Sequence, residues 1–247
     1  MSKFTGFVLL AAGFLISSSP AFSGVAVLCP NEAATGGYGS ATFTSFAGSL
    51  DGTGNCSPDT ETGVTMSISD DTDYAKLTWG ALPAGTTLGN LSGVNASVSF
   101  TAGQSSDSPF YELAFVDSSD SLGQGSATDQ ILLLEFQNLG ISGAGFTSMT
   151  IDPGSTLFNV YDNTTDTYLL GGQSDAMTLD ALLGTYSDLS SETLDEIRLA
   201  IGMAGPGCSS NCGESLSVDS VEITPEPGTI ALALSGLAAV LAFRRRA

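Results

Sequence analysis

Val94-Asn95-Ala96-Ser97-Val98-Ser99-Phe100 decides the fold class. Apolar side chains stand at every second position with polar ones between them, a period of two that buries one face of an extended strand and wets the other. A helix of the same residues would scatter the four apolar side chains around its circumference. Outward from this stretch the alternation recurs in Val64-Met66-Ile68, in Ala75-Leu77-Trp79, and in Leu113 and Phe115 of Phe110 to Val116. Ile131-Leu132-Leu133-Leu134 is a continuous apolar run, as expected of a strand buried on both faces or lying inside a sandwich. Thr156 to Tyr161 and Thr167 to Leu170 flank the polar turn Asp162-Asn163-Thr164-Thr165-Asp166 and read as a hairpin. Ile197-Leu199-Ile201 and Val218 with Val221 and Ile223 are expected as the last two strands. Only Thr178 to Leu183 reads as a helix, with Thr178 as its N-cap. Many short strands and little helix predict an all-β fold, an antiparallel two-sheet sandwich of jelly-roll type. Stretches such as Asp117 to Thr128 are expected as exposed loops, and no repeat of fixed period points to a solenoid or propeller.

Composition narrows the function. Of 247 residues 26 are acidic and 6 basic, and the net charge is −20. A chain so acidic repels phosphate backbones, so no nucleic-acid partner is expected. Histidine is absent, which excludes an imidazole base, His-ligated zinc and an imidazole pH switch. The ends carry four of the six bases; residues 24 to 226 hold every acid but only Lys76 and Arg198 as cations. About 200 residues suffice for one sizeable core, and residues 24–224 are expected as a single β-sandwich domain.

Both ends read as processing signals. Lys3, the apolar stretch Phe7 to Ile16, and Ala21-Phe22-Ser23 make residues 1–23 a signal peptide, with signal peptidase cutting before Gly24. Near the other end, Pro225-Glu226-Pro227 precedes Gly228, the apolar run Thr229 to Phe243, and Arg244-Arg245-Arg246. By the positive-inside rule the arginines stay cytoplasmic, so a transmembrane helix over 228–243 leaves the body outside the inner membrane. A helix over the apolar run rises only about 23 Å, short for a hydrocarbon core of about 30 Å, which suits a temporary hold. Proline at 225 is expected to end the last strand and open a hinge at Thr224-Pro225.

This order of Pro-Glu-Pro, short Ala/Leu/Gly-rich helix and arginine cluster resembles the PEP-CTERM sorting signal of Gram-negative bacteria, over residues 225–247. The resemblance implies that exosortase, an integral-membrane transpeptidase, recognises Pro225, Glu226 and Pro227 and cuts near them, with Arg244, Arg245 and Arg246 as the cytoplasmic stop. It further implies release of the body to the cell surface or the extracellular space. Leu88-Gly89-Asn90-Leu91-Ser92 leading into Val98-Ser99-Phe100, and Val218 to Ile223, look similar to strands of concanavalin-like jelly-roll domains.

In an oxidising compartment the four cysteines read as disulfides. Of three connectivities, Cys29 with Cys56 and Cys208 with Cys212 is favoured, the second because its Gly-rich loop can turn back on itself. Closing the loop of about 27 residues between Cys29 and Cys56 would contribute about 3 to 4 kcal/mol.

Aspartates cluster at Asp70-Asp71-Asp73, at Asp117 with Asp120, and at Asp162 with Asp166. Surface turns explain such clusters, and Ca²⁺ is the ion that loops of this composition would take. No EF-hand loop fits: from Asp71 the sixth position is Lys76 and from Asp51 it is Cys56, where glycine is required.

Glu112 and Glu135 fall within expected strands and are the credible acid/base equipment for a glycoside hydrolase, although nothing local in the sequence ties them together. Either they serve such chemistry or each faces solvent from the polar side of its strand. Trp79 and Tyr111 are the candidates for an aromatic sugar platform, although Trp79, the sole tryptophan, ends an alternating strand, which favours a core position for it.

The leading expectation is an exported, non-enzymatic surface or extracellular-matrix protein, needing no cofactor and binding polysaccharide or calcium. The alternatives are a polysaccharide-active hydrolase on a concanavalin-like fold and a permanently anchored surface protein.

Overall fold

The computed structural model describes residues 25–47, 62–70, 72–101, 109–123, 131–136, 147–170, 175–202 and 213–225. The strands are β1 (Ala26–Leu28), β2 (Ala34–Tyr38), β3 (Thr42–Ala47), β4 (Thr62–Ile68), β5 (Tyr74–Trp79), β6 (Leu91–Thr101), β7 (Phe110–Val116) and β8 (Ile131–Phe136). They continue with β9 (Thr147–Ile151), β10 (Leu157–Asp162), β11 (Thr167–Tyr168), β12 (Met177–Thr178), β13 (Leu194–Gly202) and β14 (Glu214–Pro225). Among the described residues they form a six-stranded sheet, β3-β4-β14-β6-β9 with β1 added to β14, and an eight-stranded sheet, β11-β10-β8-β7-β13-β5-β2 with β12 paired to β10. Their pairings are antiparallel. The chain is therefore the two-sheet antiparallel sandwich that the alternating pattern demands.

The core is the meeting of the two apolar faces. Met66, Val94, Ala96, Val98, Leu216, Val218, Val221 and Ile223 enter it from the smaller sheet; Leu77, Tyr111, Leu113, Phe115, Leu134, Ile197, Leu199 and Ile201 enter from the larger. Truncating one of these buried leucines to alanine costs about 2 to 5 kcal/mol through lost transfer energy and the cavity left behind. A bulge between Val218 and Ser220 keeps Val218 and Val221 both in the core, and one between Leu194 and Glu196 does the same for Leu194 and Ile197.

The expected helix forms as α1 (Leu179–Thr185), and the Thr178 hydroxyl accepts from the Ala181 N–H at 3.2 Å, supplying the N-cap. Leu179 and Leu182 bury its inner side against one end of the core. The expected hairpin is β10 and β11, and its turn is held by Asp162, whose carboxylate accepts from the Thr164 and Thr165 N–H groups at 2.8 and 3.3 Å.

One expectation changes. The last strand does not stop before Pro225: after a register shift at Thr224 the ladder resumes, and Pro225 pairs with Leu91. A bulge reconciles the missing donor with a sheet position. The structure also decides Trp79 and Tyr111, placing Trp79 in the core as its position at the end of an alternating strand favoured. Each points into the core, 3% and 0% exposed, with the Trp79 Nε1–H donating to the Cys29 carbonyl and the Tyr111 hydroxyl to the Met149 carbonyl. Neither can serve as a sugar platform, because the alternation that made them strand residues also turned them inward.

The signal peptide at residues 1–23, Glu226 and Pro227, the helix expected over 228–243 and Arg244 to Arg246 lie outside the described residues. Among the described residues no helix is long and apolar enough to cross a membrane.

Candidate functional site

The face of the larger sheet turned away from the core is where the sequence places its unusual residues. Period-two geometry sends Leu77, Leu113, Ile197 and Leu199 inward, so Lys76, Thr78, Glu112, Glu196 and Arg198 must stand on the other side. Register then aligns them. Thr78 pairs with Arg198, Arg198 with Glu112, Glu112 with Glu135, and Glu135 with Asn159. One continuous polar row thus crosses β5, β13, β7, β8 and β10 at right angles to the strands.

Glu112 sits in the middle of the row and is 4% exposed. Its Oε2 accepts from Arg198 Nη1 at 3.3 Å, and its Oε1 accepts from the Tyr74 hydroxyl at 3.3 Å. Arg198 also binds Glu196, with Nη2 2.6 Å from Oε2. Both cations of residues 24 to 226 are here, since Lys76 lies diagonally from Arg198 on the neighbouring strand. The Lys76 ammonium stands 5.8 Å from the Tyr74 ring centre, its stem crosses Gly36, and a Cβ at Gly36 would approach Lys76 Cε to 3.2 Å. Burial and the adjacent guanidinium push the Lys76 ammonium below its usual pKa. Tyr74, Phe110 and Ala200 form a small apolar cluster beside the row, and Tyr74 leads through a ring contact of 5.7 Å to the half-exposed Tyr38 at the sheet edge.

At the other end the chemistry differs. Glu135 is 8% exposed and its carboxyl is pushed up to about 7, first by burial and then by the Glu112 carboxylate opposite, against a hydrogen bond from Tyr168. Its Oε2 and the neighbouring Asn159 Oδ1 are buried and find no hydrogen-bond donor among the described residues. A buried acceptor without a donor costs about 1 to 3 kcal/mol, so these two on facing strands are the polar deficit of the row. Tyr161 and Tyr168 pair edge to face beside them, with ring centres 5.2 Å apart, and the Tyr161 hydroxyl donates to Asp166.

The structure therefore brings together Glu112 and Glu135, which the sequence could name but not join. It adds Arg198, Lys76, Tyr74, Asn159, Tyr161 and Tyr168. A second reading of the same alternation, asking what the non-core positions of each strand carry, would have found these residues; only the register shows that they form a row.

The aspartate clusters are turn devices. Asp73 Oδ2 accepts from the Ser40 N–H at 3.0 Å and from the Ser40 hydroxyl at 2.5 Å. Gly39, at φ +74, lies so close to that carboxylate that a Cβ would collide with Asp73 Oδ1. Asp70 caps Thr72, and Asp117 accepts from the Ser121 and Leu122 N–H groups at 3.0 and 2.8 Å. Among the described residues no three acids gather as a metal site; Asp71 lies outside them. Cys29 is disulfide-bonded, while Cys56, Cys208 and Cys212 lie outside the described residues.

A comparison with curated proteins found no match. Among solved structures the chain is similar to a winged bean acidic lectin complexed with methyl-α-D-galactose, at 8% identity over 82% of this chain and 100% of that one, with a TM-score of 0.38. It is also similar to a LamA variant from Z. galactanivorans in complex with laminaritriose and laminaritetraose, at 8% identity over 76% of this chain and 92% of that one, with a TM-score of 0.27. Residues 224–246 match the PEP-CTERM protein-sorting motif. The chain is therefore an exported protein and a substrate for exosortase processing, anchored transiently in the membrane by this tail and then placed at the cell surface.

Proposed function

We propose that this is a non-enzymatic surface or extracellular-matrix protein that binds polysaccharide on the outer face of its larger sheet once the tail has been removed. The observation that carries the reading is the pair of buried acceptors, Glu135 Oε2 and Asn159 Oδ1, beside the Tyr161 and Tyr168 rings. Saccharides supply dense hydroxyl donors and flat C–H faces, which complement such acceptors and rings. No cofactor is needed for this. Cys29 is taken to pair with Cys56, and Cys208 with Cys212.

Titrating the full chain in detergent with extracellular polysaccharide fractions tests the reading: Asn159→Ala should weaken binding about tenfold, the loss of a buried hydrogen-bond site. Equal affinity in the variant would overturn it. For the tail, replacing Arg244 to Arg246 or Pro225-Glu226-Pro227 by alanine should stop processing and leave the body folded. Intact-mass analysis of exported material reads this directly, and retention of residues 228–247 in the wild type would instead mark a permanently anchored protein.

One observation favours a second reading, glycoside hydrolysis. Glu112 and Glu135 are direct cross-strand partners, a placement that sets Cβ atoms about 5 Å apart, near the carboxyl separation of retaining enzymes. Against it, Arg198 and Tyr74 already occupy both oxygens of Glu112, which leaves little room for a scissile bond between the carboxyls. Glycan turnover lost in both Glu112→Gln and Glu135→Gln would establish the enzyme.

A further inference from the structure

The polar row is asymmetric. Arg198 and Lys76 stand on β13 and β5, whereas the half formed by β8, β10 and β11 holds Glu135, Asn159, Tyr161, Tyr168 and the turn carboxylate Asp166, with no base among them. Resting on the saccharide reading above, we propose that this acceptor half is a subsite for an ammonium-bearing sugar, a de-N-acetylated amino sugar within a polysaccharide.

The donor inventory supports it first. A hydroxyl carries one donor and an ammonium three with no acceptor, so a single ammonium can satisfy both Glu135 Oε2 and Asn159 Oδ1 and still leave a donor for water. Charge supports it next. The ammonium offsets the burial of Glu135 and its repulsion by Glu112, the two causes that raise its pKa. A body with 26 acids against two bases also concentrates cations near its surface and repels uronates. The tyrosines complete the fit: an ammonium beside an aromatic ring is attracted by its quadrupole, and the protein already seats one that way, Lys76 beside Tyr74.

The experiment titrates the full chain in detergent, by calorimetry, with tetramers of glucosamine, of N-acetylglucosamine, of glucose and of galacturonate. The glucosamine tetramer should bind about tenfold or more tighter than the acetylated and glucose tetramers, the scale of one charge-assisted contact. Glu135→Gln should erase that preference, so that on the variant the glucosamine and glucose tetramers bind within about threefold of each other. Comparable affinity for the acetylated, glucose or galacturonate tetramer would overturn the amino-sugar assignment and keep the face as a general saccharide site. Binding of none would overturn the saccharide reading and with it this one. Should Glu135→Gln fail to fold by circular dichroism, the wild-type ratio of amine to acetylated tetramer decides alone.

Discussion

The two outer faces of this sandwich are built by the same alternation and carry opposite chemistry. On the smaller sheet most outward positions are hydroxyls or an amide that pair across the strands, Thr65 with Ser217 at 2.7 Å, Ser67 with Ser215 at 3.0 Å, and Thr150 with Asn95 at 2.7 Å, and Glu222 is an acid among them. The paired groups are part-buried or exposed, neutral, and satisfied across the strands. On the larger sheet the outward positions include the buried Arg198, Glu112 and Glu135 and the half-buried Asn159, a row charged at one end and short of donors at the other. A side chain turned away from the core is therefore no guide to its cost. What matters is whether its neighbours in register complete its hydrogen bonds.

Arg198→Met should separate the two faces most strongly. It leaves Glu112 buried with only the Tyr74 hydroxyl, and breaking a buried pair on one side costs about 3 to 5 kcal/mol. For a body of about 200 residues, that lowers Tm by about 10 °C. Adding Glu112→Gln removes the stranded charge and should restore a large part of the loss, the non-additivity expected of contacting residues. A single variant within about 1 kcal/mol of the wild type would mean that the row is as solvated as the hydroxyl face.

The sheet architecture was legible because its central strands repeat apolar residues at period two over several turns of the pleat. The edges were not. β2, β3 and β9 each lie at the end of a sheet, and an edge strand buries few side chains, so its pattern fades. Ala34-Thr35-Gly36-Gly37-Tyr38 shows no alternation at all, and Gly37 is needed where the strand passes the Tyr74 carbonyl, with which a Cβ would collide. In β9 only Met149 and Ile151 are buried, too few to show a period. The candidate site was half legible for a related reason. Glu112 and Glu135 could be placed on strands, but that they face each other depends on 22 residues of intervening chain closing in one register, which no local spacing encodes. The sorting tail, by contrast, is read by order and composition alone and needs no fold.

Acidity should sharpen the comparison at the middle of the scale. Glu135 has its folded pKa raised from 4.5 to about 7, so between those values the folded state holds a proton that the unfolded state has lost. Its contribution favours folding below pH 4.5 and is lost as pH rises through 7, a swing of about 3 kcal/mol. Burial contributes most of the rise, Glu112 on β7 adds to it, and Tyr168 on β11 lowers it. Subtracting the pH–stability profile of Glu135→Gln from that of the wild type isolates this term from the remaining acids. A difference profile flat between pH 4.5 and 7.5 would show that Glu135 is hydrated like the hydroxyls of the other face.

The smallest effects belong to that other face. In Thr65→Val with Ser217→Ala both partners of a hydroxyl pair disappear together, and replacing both by apolar groups of similar shape is nearly neutral because no polar atom is stranded. Ser217→Ala alone leaves the Thr65 hydroxyl without its partner at a part-buried position, where water replaces much of what is lost, so about 0.5 to 1 kcal/mol is expected. Urea unfolding of the single and double variants reads both. If the double variant instead fell by several kcal/mol, the hydroxyl rows would be holding β4 to β14 as strongly as the ion pair holds β7 to β13, and the contrast between the faces would lie in charge alone, without a difference in energetic weight.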